Sequence, residues 1–446
     1  MADVRPFRGL RYNLSKVGDL ASVTTPPYDV ISPKAQASFY ARSDFNIIRL
    51  ELGLDHKGDD AGDNKYTRAA AIFEQWQRDG ILVAERDPSV YVYEQEFTYG
   101  NERKVRRGYI AGLKLENWDS GVILPHEETL AKPLNDRLQL MLACHANFSP
   151  VFGLYEDRTG GISRLLRSRV QDRPAAELAS DDGDEHRLWV IDDADELHRL
   201  RQLMAPVRVF IADGHHRYQT ALRYRDTQRE KYPDFTGEEA FNFVMMLLVE
   251  MNDPGLVVLP THRMVRIANL NLSQVERDLA RFFSVEHRHV DSDEQAETLI
   301  LELSRASSSS KVFGAFGLRP DTFSILTLNH GLDLGEFLSE EKASAVRDLD
   351  VTVLHALVIQ QVLGIDELSV ANGRVSYTRD GKYAIRAVRK GYCDLSLFLH
   401  PPTVAQVRNV ALAGDKMPQK STYFHPKPLS GIVMNHLNGE LPFVQE

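Results

Sequence analysis

Apolar and polar residues alternate along two neighbouring segments, residues 90–97 and 108–115, which predicts a pair of β-strands. Gly100 and Asn101 lie between them and favour a turn, so the two strands are expected to form a hairpin. Further strands are predicted at apolar runs of strand length, namely residues 46–52, 122–124, 150–155, 188–191, 207–212, 241–250 and 256–260.

Other segments carry apolar residues at helical spacing. Residues 66–77 are one example, and residues 136–146 are another, with Asp136 placed to cap the first turn. Further helices are predicted at residues 194–203, 217–232, 272–283 and 346–363, and His355 in the last is expected to be a packed structural residue. Because strands and helices alternate along the chain, the pattern predicts an α/β fold (α+β, with mixed sheets).

The length of 446 residues, at roughly 150 residues per domain, favours two or three domains. Changes in pattern place the joins near residues 118 and 266. We therefore expect an N-terminal mixed α/β domain (1–118), a central core (119–265) and a C-terminal α/β domain (266–446). Serines 307–310 are predicted to lie in a surface loop.

Charge and composition narrow the class of protein. Lys and Arg number 53 and Asp and Glu number 63, a formal charge of −10, which argues against gripping nucleic acid as the main task. A small basic pocket for a phosphorylated ligand stays compatible with this balance. The content of 43% hydrophobic and 26% charged residues is that of an ordinary globular protein with a large core.

Only two cysteines occur, Cys144 and Cys393, and they lie far apart in the sequence. This excludes a disulfide framework and a Cys-rich zinc site, and neither zinc nor haem is expected. Residues 1–10 lack an apolar signal core, and the apolar runs fall short of the roughly 20 residues that a membrane span needs. The sequence thus predicts a cytoplasmic protein without a membrane partner.

The most informative motif is a predicted strand that ends in Asp213-Gly214, with a helix beginning within two residues. Such a turn directs backbone N–H groups and the positive end of a helix dipole at one point. Gly214 allows close approach of a ligand, Arg217 can donate two parallel hydrogen bonds, and His215 and His216 add donors. A phosphate, as part of a nucleotide, is the predicted guest.

The turn has two other interpretations. Adjacent helical residues diverge by about 100°, so His215 and His216 are not expected to share one metal ion. A magnesium ion on Asp213, shared with phosphate oxygens, stays open. In the simplest interpretation Asp213 caps the helix and the histidines pack or face water, but that leaves the His-His-Arg run unexplained.

A second motif follows the short strand predicted at residues 122–124. His126, Glu127, Glu128 and Thr129 stand together there, and paired carboxylates beside a histidine suit general-base catalysis or metal binding. Exposed glutamate pairs are also ordinary, so the spacing by itself leaves both interpretations open.

A third motif lies near the C-terminus, where Gly414 and Lys420-Ser421 fall at P-loop spacing. Gln419 stands where the second glycine belongs, and Pro418 removes an N–H from the cradle. The segment is therefore not a P-loop.

The same segment could still form a basic lid on an anionic ligand, since its three lysines lie near Ser421 and Thr422. A plain surface loop is the alternative. His262 and Arg263, just after a predicted strand, are similar candidates for contact with the substrate. The lid and substrate candidates are thus His126, Thr129, His262, Arg263, Lys420, Ser421 and Thr422.

Four motifs together resemble a known family. They are Pro-Pro-Tyr-Asp-Val-Ile at 26–31, Pro-His-Glu at 125–127, Asp-Gly-His-His-Arg-Tyr at 213–218 and Met-Pro-Gln-Lys-Ser-Thr at 417–422. This combination resembles the domain of unknown function 1015 family over nearly the whole chain. The family name implies no function.

The central region also resembles the ParB/sulfiredoxin-like fold, and within it the free-serine kinases, which phosphorylate L-serine with ADP or ATP. The order of Pro-His-Glu-Glu at 125–128, a helix, a strand and Asp-Gly-His-His-Arg at 213–217 carries this resemblance. It implies that Glu127 or Glu128 is the base on the substrate hydroxyl and that the turn at 213–217 holds the nucleotide phosphates. The longer stretch between strand and turn leaves the substrate open.

We therefore expect a kinase that uses ATP or ADP with Mg²⁺ on a small hydroxyl metabolite, with L-serine the first substrate to test. The alternative is a non-catalytic, nucleotide-binding, ParB-like regulatory protein. A third possibility is that the motifs only shape an interface. A homo-oligomer is compatible with each of these, and nucleic acid is not an expected partner.

Overall fold

The computed structural model describes residues 1–129, 131–267, 270–305, 311–366 and 369–441, and the loop predicted at residues 307–310 lies outside them. The chain divides into two compact units. The first unit comprises residues 1–257 together with the segment that begins at Pro426, and the second comprises Val258–His425. The first unit is therefore discontinuous in sequence.

The strands are β1 (Val4–Arg5), β2 (Leu10–Tyr12), β3 (Leu82–Ala84), β4 (Val90–Tyr99), β5 (Glu102–Lys114), β6 (Ile123–Leu124), β7 (Ala146–Asn147), β8 (Val151–Tyr155), β9 (Ala176–Ala179), β10 (Glu185–Ile191), β11 (Val209–Asp213), β12 (Phe243–Glu250), β13 (Val257–Val258), β14 (His262–Val265), β15 (Phe283–His289), β16 (Val312–Phe316), β17 (Thr322–Leu328), β18 (Val375–Thr378), β19 (Leu395–Phe398), β20 (Phe424–His425) and β21 (Asn435–His436).

The α-helices are α1 (Leu14–Val17), α2 (Pro33–Arg42), α3 (Ile48–Glu51), α4 (Lys65–Arg78), α5 (Ala131–Cys144), α6 (Gly161–Arg169), α7 (Ala194–Met204), α8 (His215–Lys231), α9 (Leu272–Leu279), α10 (Asp293–Arg305), α11 (Ser344–Arg347), α12 (Asp350–Val353), α13 (Gly381–Arg389) and α14 (Val404–Leu412). Short 3₁₀ turns lie at Tyr28–Val30, Trp118–Ser120, Ala240–Asn242 and Leu334–Glu336, and π-helical turns at Leu354–Val362 and Val370–Arg374. Among the described residues, none of these helices combines the length and the apolar character needed to cross a membrane.

The first unit is built on a nine-stranded sheet in the order β6-β11-β8-β12-β5-β4-β10-β9, with β1 also paired to β5. The predicted hairpin is present as β4 and β5, which pair in antiparallel register. β6 pairs with β11 in parallel, and β8 pairs with β12 in parallel, while the other pairs are antiparallel. This confirms the predicted α+β fold with mixed sheets.

Strand β12 explains how the sheet is anchored. Its residues from Phe243 to Val249 are all buried, on both faces of the strand. A continuous apolar run of this kind is typical of a strand covered on both faces, and burial of each large side chain is worth about 1.5–3 kcal/mol. The central strands thus give a rigid base to the loops at the sheet edge.

Two of those loops begin side by side. β6 and β11 are parallel neighbours, with Val209 opposite Ile123 and Phe210 opposite Leu124. The carboxyl ends of parallel neighbours reach the same edge of a sheet. The Pro-His-Glu-Glu motif after β6 and the Asp-Gly-His-His-Arg motif at the end of β11 therefore emerge next to each other.

The second unit contains a six-stranded antiparallel sheet in the order β15-β17-β16-β19-β14-β18. Apolar residues of α10 and α13 pack on this sheet, among them Ala296, Leu303, Ala384 and Ile385.

Three secondary-structure predictions need correction. The strand predicted at residues 46–52 is instead the site of helix α3; just before it, the Asn46 side chain accepts the backbone N–H of Ile48 at 3.0 Å, which favours a turn over an extended strand. Asp136 lies inside α5, which begins at Ala131, so it does not cap that helix. The helix predicted at 346–363 is broken, because Leu349 has extended backbone angles (φ −76°, ψ 138°) between α11 and α12.

The domain division also differs from the one predicted. β4 and β5 share one sheet with β8, β11 and β12, so residues on both sides of position 118 belong to one unit. The structure thus has two compact units where the sequence suggested three domains. The ParB/sulfiredoxin-like core stays a prediction.

Candidate functional site

A pair of buried histidines joins the two loops that begin at the ends of β6 and β11. The backbone N–H of His126 donates to Nε2 of His215 at 3.2 Å, and the two rings meet edge to face with centroids 4.6 Å apart. Nδ1 of His126 lies 2.8 Å from the carbonyl oxygen of Ile211, which can only accept, so this nitrogen carries the proton. His126 and His215 therefore fix the spacing of the loops.

Asp213 is the centre of the polar cluster at this edge. Arg217 donates from Nη2 to one carboxylate oxygen at 2.6 Å, and the Lys427 ammonium pairs with the other oxygen. Arg217 also donates to the carbonyl oxygen of Pro150. A β-bulge in β11, between Ile211 and Asp213, turns the carboxylate into this position. Two cations thus converge on one carboxylate.

Gly214 directly precedes helix α8 as its N-cap and has a left-handed conformation, with φ +87°. The glycine has no side chain with which to cap the helix, so the backbone N–H groups of the first turn receive no side-chain cap from position 214. A Cβ atom at this position would come within 2.9 Å of Nε of Arg217. Glycine is therefore required both by the turn and by the arginine that folds over it.

Replacing Gly214 with alanine should destabilise the protein by about 1–3 kcal/mol, the cost of a strained left-handed residue, and should also displace Arg217. Gly121 offers a matched control, because it has φ +65° but no other atom within 4 Å of the point where a Cβ would stand. We expect Gly121→Ala to lose stability only, and Gly214→Ala to lose stability and nucleotide affinity, as measured by thermal unfolding and calorimetry. Equal affinity in both variants would contradict this role.

Lys427 is held by the segment that returns to the first unit at Pro426. Gln95 donates from Nε2 to the Lys427 carbonyl at 3.1 Å, and the fully buried Arg106 donates to the carbonyl of Pro426. Arg106 also lies over the ring of Phe152, 4.6 Å from its centroid. The lysine side chain is only 6% exposed, so its position is well defined.

Burial lowers the pKa of Lys427 to about 8, even though the carboxylates of Asp29 and Glu127 act to raise it, while Arg106 adds to the lowering. Glu127 is half-buried, whereas Glu128 is exposed. The structure therefore separates the two glutamates: Glu127 lies within electrostatic reach of the cluster. Thr129, which was also predicted for this site, follows Glu128 in the sequence and is half-buried.

A second layer of polar residues lies under Arg217. The guanidinium of Arg137 stacks on the ring of Tyr28 at 4.2 Å, and burial raises the pKa of Tyr28 to about 12, against the opposing effects of Arg137 and Arg217. Arg137 donates to the carbonyl of Glu51 at 2.6 Å. Tyr28 belongs to the Pro-Pro-Tyr-Asp motif, so that motif supports the cluster from below.

Sequence reasoning missed several residues of this cluster, namely Tyr28, Asp29, Glu51, Gln95, Arg106 and Arg137, and it counted Lys427 only among the three lysines of the predicted basic lid, not as a partner of Asp213. Lys427 could have been singled out by its flanking prolines, Pro426 and Pro428, which fix the backbone on both sides of one lysine.

The other predicted site residues belong to the second unit: His262, Arg263, Lys420, Ser421 and Thr422. His262 and Arg263 are neighbours on strand β14, so their side chains point to opposite faces of the sheet. His262 packs on Phe398, with ring centroids 4.9 Å apart. Ser421 is buried, and its hydroxyl donates to the carbonyl of Pro418.

Both carboxylate oxygens of Asp213 accept from cations, and the magnesium ion predicted on Asp213 stays a prediction. Within the described ranges, there is also no group of three or more His, Cys, Asp or Glu residues arranged to hold a metal. His215 and His216 face different surroundings, since His215 is buried against His126 and His216 is half-buried. In the structure, Asp213 is the anchor of Arg217 and Lys427.

Comparison with known proteins places the chain in a family. A family model described as a protein of unknown function, DUF1015, matches residues 4–352. The chain belongs to the DUF1015 family. The matched range of this DUF1015 protein includes the Asp213 turn and the Pro-His-Glu-Glu motif but ends before Lys427. No curated protein matches the chain.

Several solved structures are similar to this DUF1015 protein at low identity. A conserved hypothetical protein from Pyrococcus furiosus has 14% identity and a TM-score of 0.33, covering 76% of this chain and 97% of its own. A free serine kinase in complex with AMP has 14% identity and a TM-score of 0.32, with 74% and 93% covered. SbnI with a C-terminal truncation, from Staphylococcus aureus, has 13% identity and a TM-score of 0.31, with 75% and 87% covered.

Proposed function

We propose that this DUF1015 protein is a nucleotide-dependent kinase that phosphorylates a small hydroxyl metabolite, with free L-serine as the first substrate to test. The observation that carries the proposal is the convergence of Arg217 and Lys427 on Asp213, beside the glycine that opens α8. Phosphoryl transfer depends mainly on positioning and on neutralising phosphate charge, and this cluster supplies both. The choice of serine rests on the motif order at 125–128 and 213–217.

In this proposal the backbone N–H groups at the start of α8 bind phosphate oxygens, and Arg217 and Lys427 neutralise their charge. Asp213 keeps the two cations in place. Glu127 accepts the proton of the substrate hydroxyl as that oxygen forms its bond to the terminal phosphorus. The bond from that phosphorus to the bridging oxygen breaks, and the nucleotide leaves with one phosphate fewer.

Magnesium bound to the nucleotide would add further neutralisation of phosphate charge. Because Asp213 is engaged by two cations, we assign it no step through the metal. The lid role predicted for Lys420, Ser421 and Thr422, with His262 and Arg263, stays a separate proposal. Measuring nucleotide affinity in a Lys420→Gln variant tests it directly.

A thermal-shift series with ATP, ADP and CTP, with and without magnesium, tests nucleotide binding. A ligand present at 100 times its Kd should add about 2.7 kcal/mol to the free energy of unfolding. Adding L-serine and measuring O-phosphoserine by mass spectrometry then tests turnover. Binding without phosphoserine would favour the non-catalytic regulatory alternative, and no binding by any nucleotide would overturn the proposal.

The pKa of Lys427 predicts how nucleotide affinity depends on pH. Its pKa of about 8 in the folded protein lies below the ordinary 10.5, so above pH 8 the ammonium loses its proton and affinity should fall. Stability should move the other way: between about pH 8 and 10.5 the unfolded chain binds more protons, so this group favours folding increasingly as pH rises. Calorimetry from pH 7 to 10 on wild type and Lys427→Gln tests this, and a parallel pH profile in both would contradict it.

A further inference from the structure

In the second unit, Arg263 is a buried cation, and its contacts among the described residues are with neutral groups. It is 0% exposed. Its Nε donates to Nε2 of His355 at 3.4 Å, Nη1 donates to the carbonyl of Thr261, and Nη2 donates to the carbonyl of Lys420 at 3.4 Å. The ring of Tyr377, its partner on the neighbouring strand, lies 5.5 Å from the guanidinium carbon. His355, expected to be purely structural, is thus an acceptor for this arginine.

Among the five other buried arginines of the described residues, Arg106 donates to the carbonyl of Pro426, and the remaining four have a different environment from Arg263. Each pairs with a carboxylate within 3 Å, namely Arg5 with Asp3 and Glu238, Arg137 with Asp136, Arg217 with Asp213 and Arg225 with Asp226. Arg263 has no carboxylate within ion-pair distance in the part of the chain that the structure describes. Burial lowers its pKa to about 10. A buried charge ordinarily needs a counter-charge, so the fold keeps an uncompensated cation here.

We propose that Arg263 is the centre of a second anion site, which binds the phosphate group of a small ligand within the second unit. A guanidinium has five N–H donors, and the three contacts above use one on each nitrogen. One N–H therefore remains on each of the two Nη nitrogens, and a phosphate can accept from both. The site shares no residue with the cluster around Asp213, and it assigns Arg263 and residues 420–422 to a site of their own instead of the lid role predicted for them above.

The segment at 415–423 is the natural cover of this site. It carries no helix or strand, and Lys420 within it adopts the left-handed region with φ +57°, which is uncommon for a residue other than glycine. This conformation directs the Lys420 carbonyl at Arg263 through a long contact of 3.4 Å. His262 takes no part, since its side chain lies on the opposite face of β14. Phosphate on Arg263 should therefore order residues 415–423.

Hydrogen–deuterium exchange on the full-length protein tests the proposal, with inorganic phosphate compared with chloride at matched ionic strength. At a phosphate concentration ten times its Kd, exchange in peptides covering 415–423 should slow by about tenfold. Arg263→Gln should abolish that protection. Peptides covering 213–220 report separately on the first unit, and Lys427→Gln should remove any effect there while leaving 415–423 protected.

Each outcome bears on the site directly. If phosphate leaves 415–423 unchanged in the wild type, or protects it equally in Arg263→Gln, then Arg263 only cross-links two carbonyl groups and the proposal is overturned. If Arg263→Gln does not fold, Arg263→Lys, which keeps the charge but loses the paired donors, should show weaker protection than wild type. Equal protection by acetate would overturn the choice of phosphate in favour of a carboxylate.

Discussion

Replacing Lys427 with methionine is expected to weaken nucleotide binding by roughly 10- to 100-fold. Each charge-assisted hydrogen bond contributes about 1.5–3 kcal/mol, and Lys427 is one of two cations that meet at Asp213. Because Arg217 stays on Asp213 at 2.6 Å, the carboxylate keeps a partner. The loss of stability should therefore stay below the roughly 3–5 kcal/mol expected when a buried charge is left unpaired.

Calorimetric titration with ATP and with ADP measures this effect, and thermal unfolding measures the stability. Lys231 is a suitable control, since it is an exposed lysine at the opposite end of α8. Lys231→Met should bind as the wild type does. Wild-type affinity in a folded Lys427→Met protein would remove Lys427 from the site.

Replacing Glu127 with glutamine should reduce turnover by about 10²- to 10⁴-fold, the range that a positioned general base contributes. Nucleotide affinity should stay within a few-fold, because Glu127 is assigned to the hydroxyl rather than to the phosphates. Glu128→Gln should keep nearly full turnover, since Glu128 is exposed while Glu127 lies near Lys427. Phosphoserine formation by mass spectrometry is the measurement.

Asp29 supplies the alternative base, as its carboxylate also acts on Lys427. If Glu127→Gln keeps its turnover and Asp29→Asn loses it, the base is Asp29 and the assignment of Glu127 is wrong. If both glutamine variants form phosphoserine at the wild-type rate, neither glutamate is the base.

The local pattern of apolar and polar residues was sufficient to predict most elements of the first unit. The alternation of residues at 90–97 and 108–115 predicted the β4–β5 hairpin, and the charged run after Gly214 predicted α8. These elements have a repeating pattern and a matching turn, so local preference and tertiary packing agree. The strand–turn–helix at Asp213 was predictable for the same reason.

Predictions failed where one contact decided the outcome. The side chain of Asn46 forms a turn with the backbone N–H of Ile48 where a strand was predicted, and the extended conformation of Leu349 broke a helix whose apolar spacing was continuous. The spacing of apolar residues carries no information about a single side-chain hydrogen bond or one changed backbone angle. Packing within the whole unit settles these positions.

Only part of the candidate site could be predicted from the sequence. Asp213 and Arg217 are four residues apart and could be joined by helical spacing, whereas Lys427 lies 214 positions beyond Asp213. Arg106 and Gln95, which hold the Lys427 segment, lie on strands that carry no motif. Contacts between distant positions depend on the fold and leave no local signal.

The second unit is inserted in the sequence of the first. The ribosome therefore adds Lys427 long after Asp213, the aspartate that Lys427 neutralises. At about 5–20 residues per second, the ribosome needs roughly 10–40 s to add the 214 residues between them. A nascent chain halted before Pro426 would carry the strands of the large sheet but only one of the two cations that meet at Asp213. The second cation of the Asp213 cluster is therefore added late in translation, after the whole of the inserted unit has been synthesised.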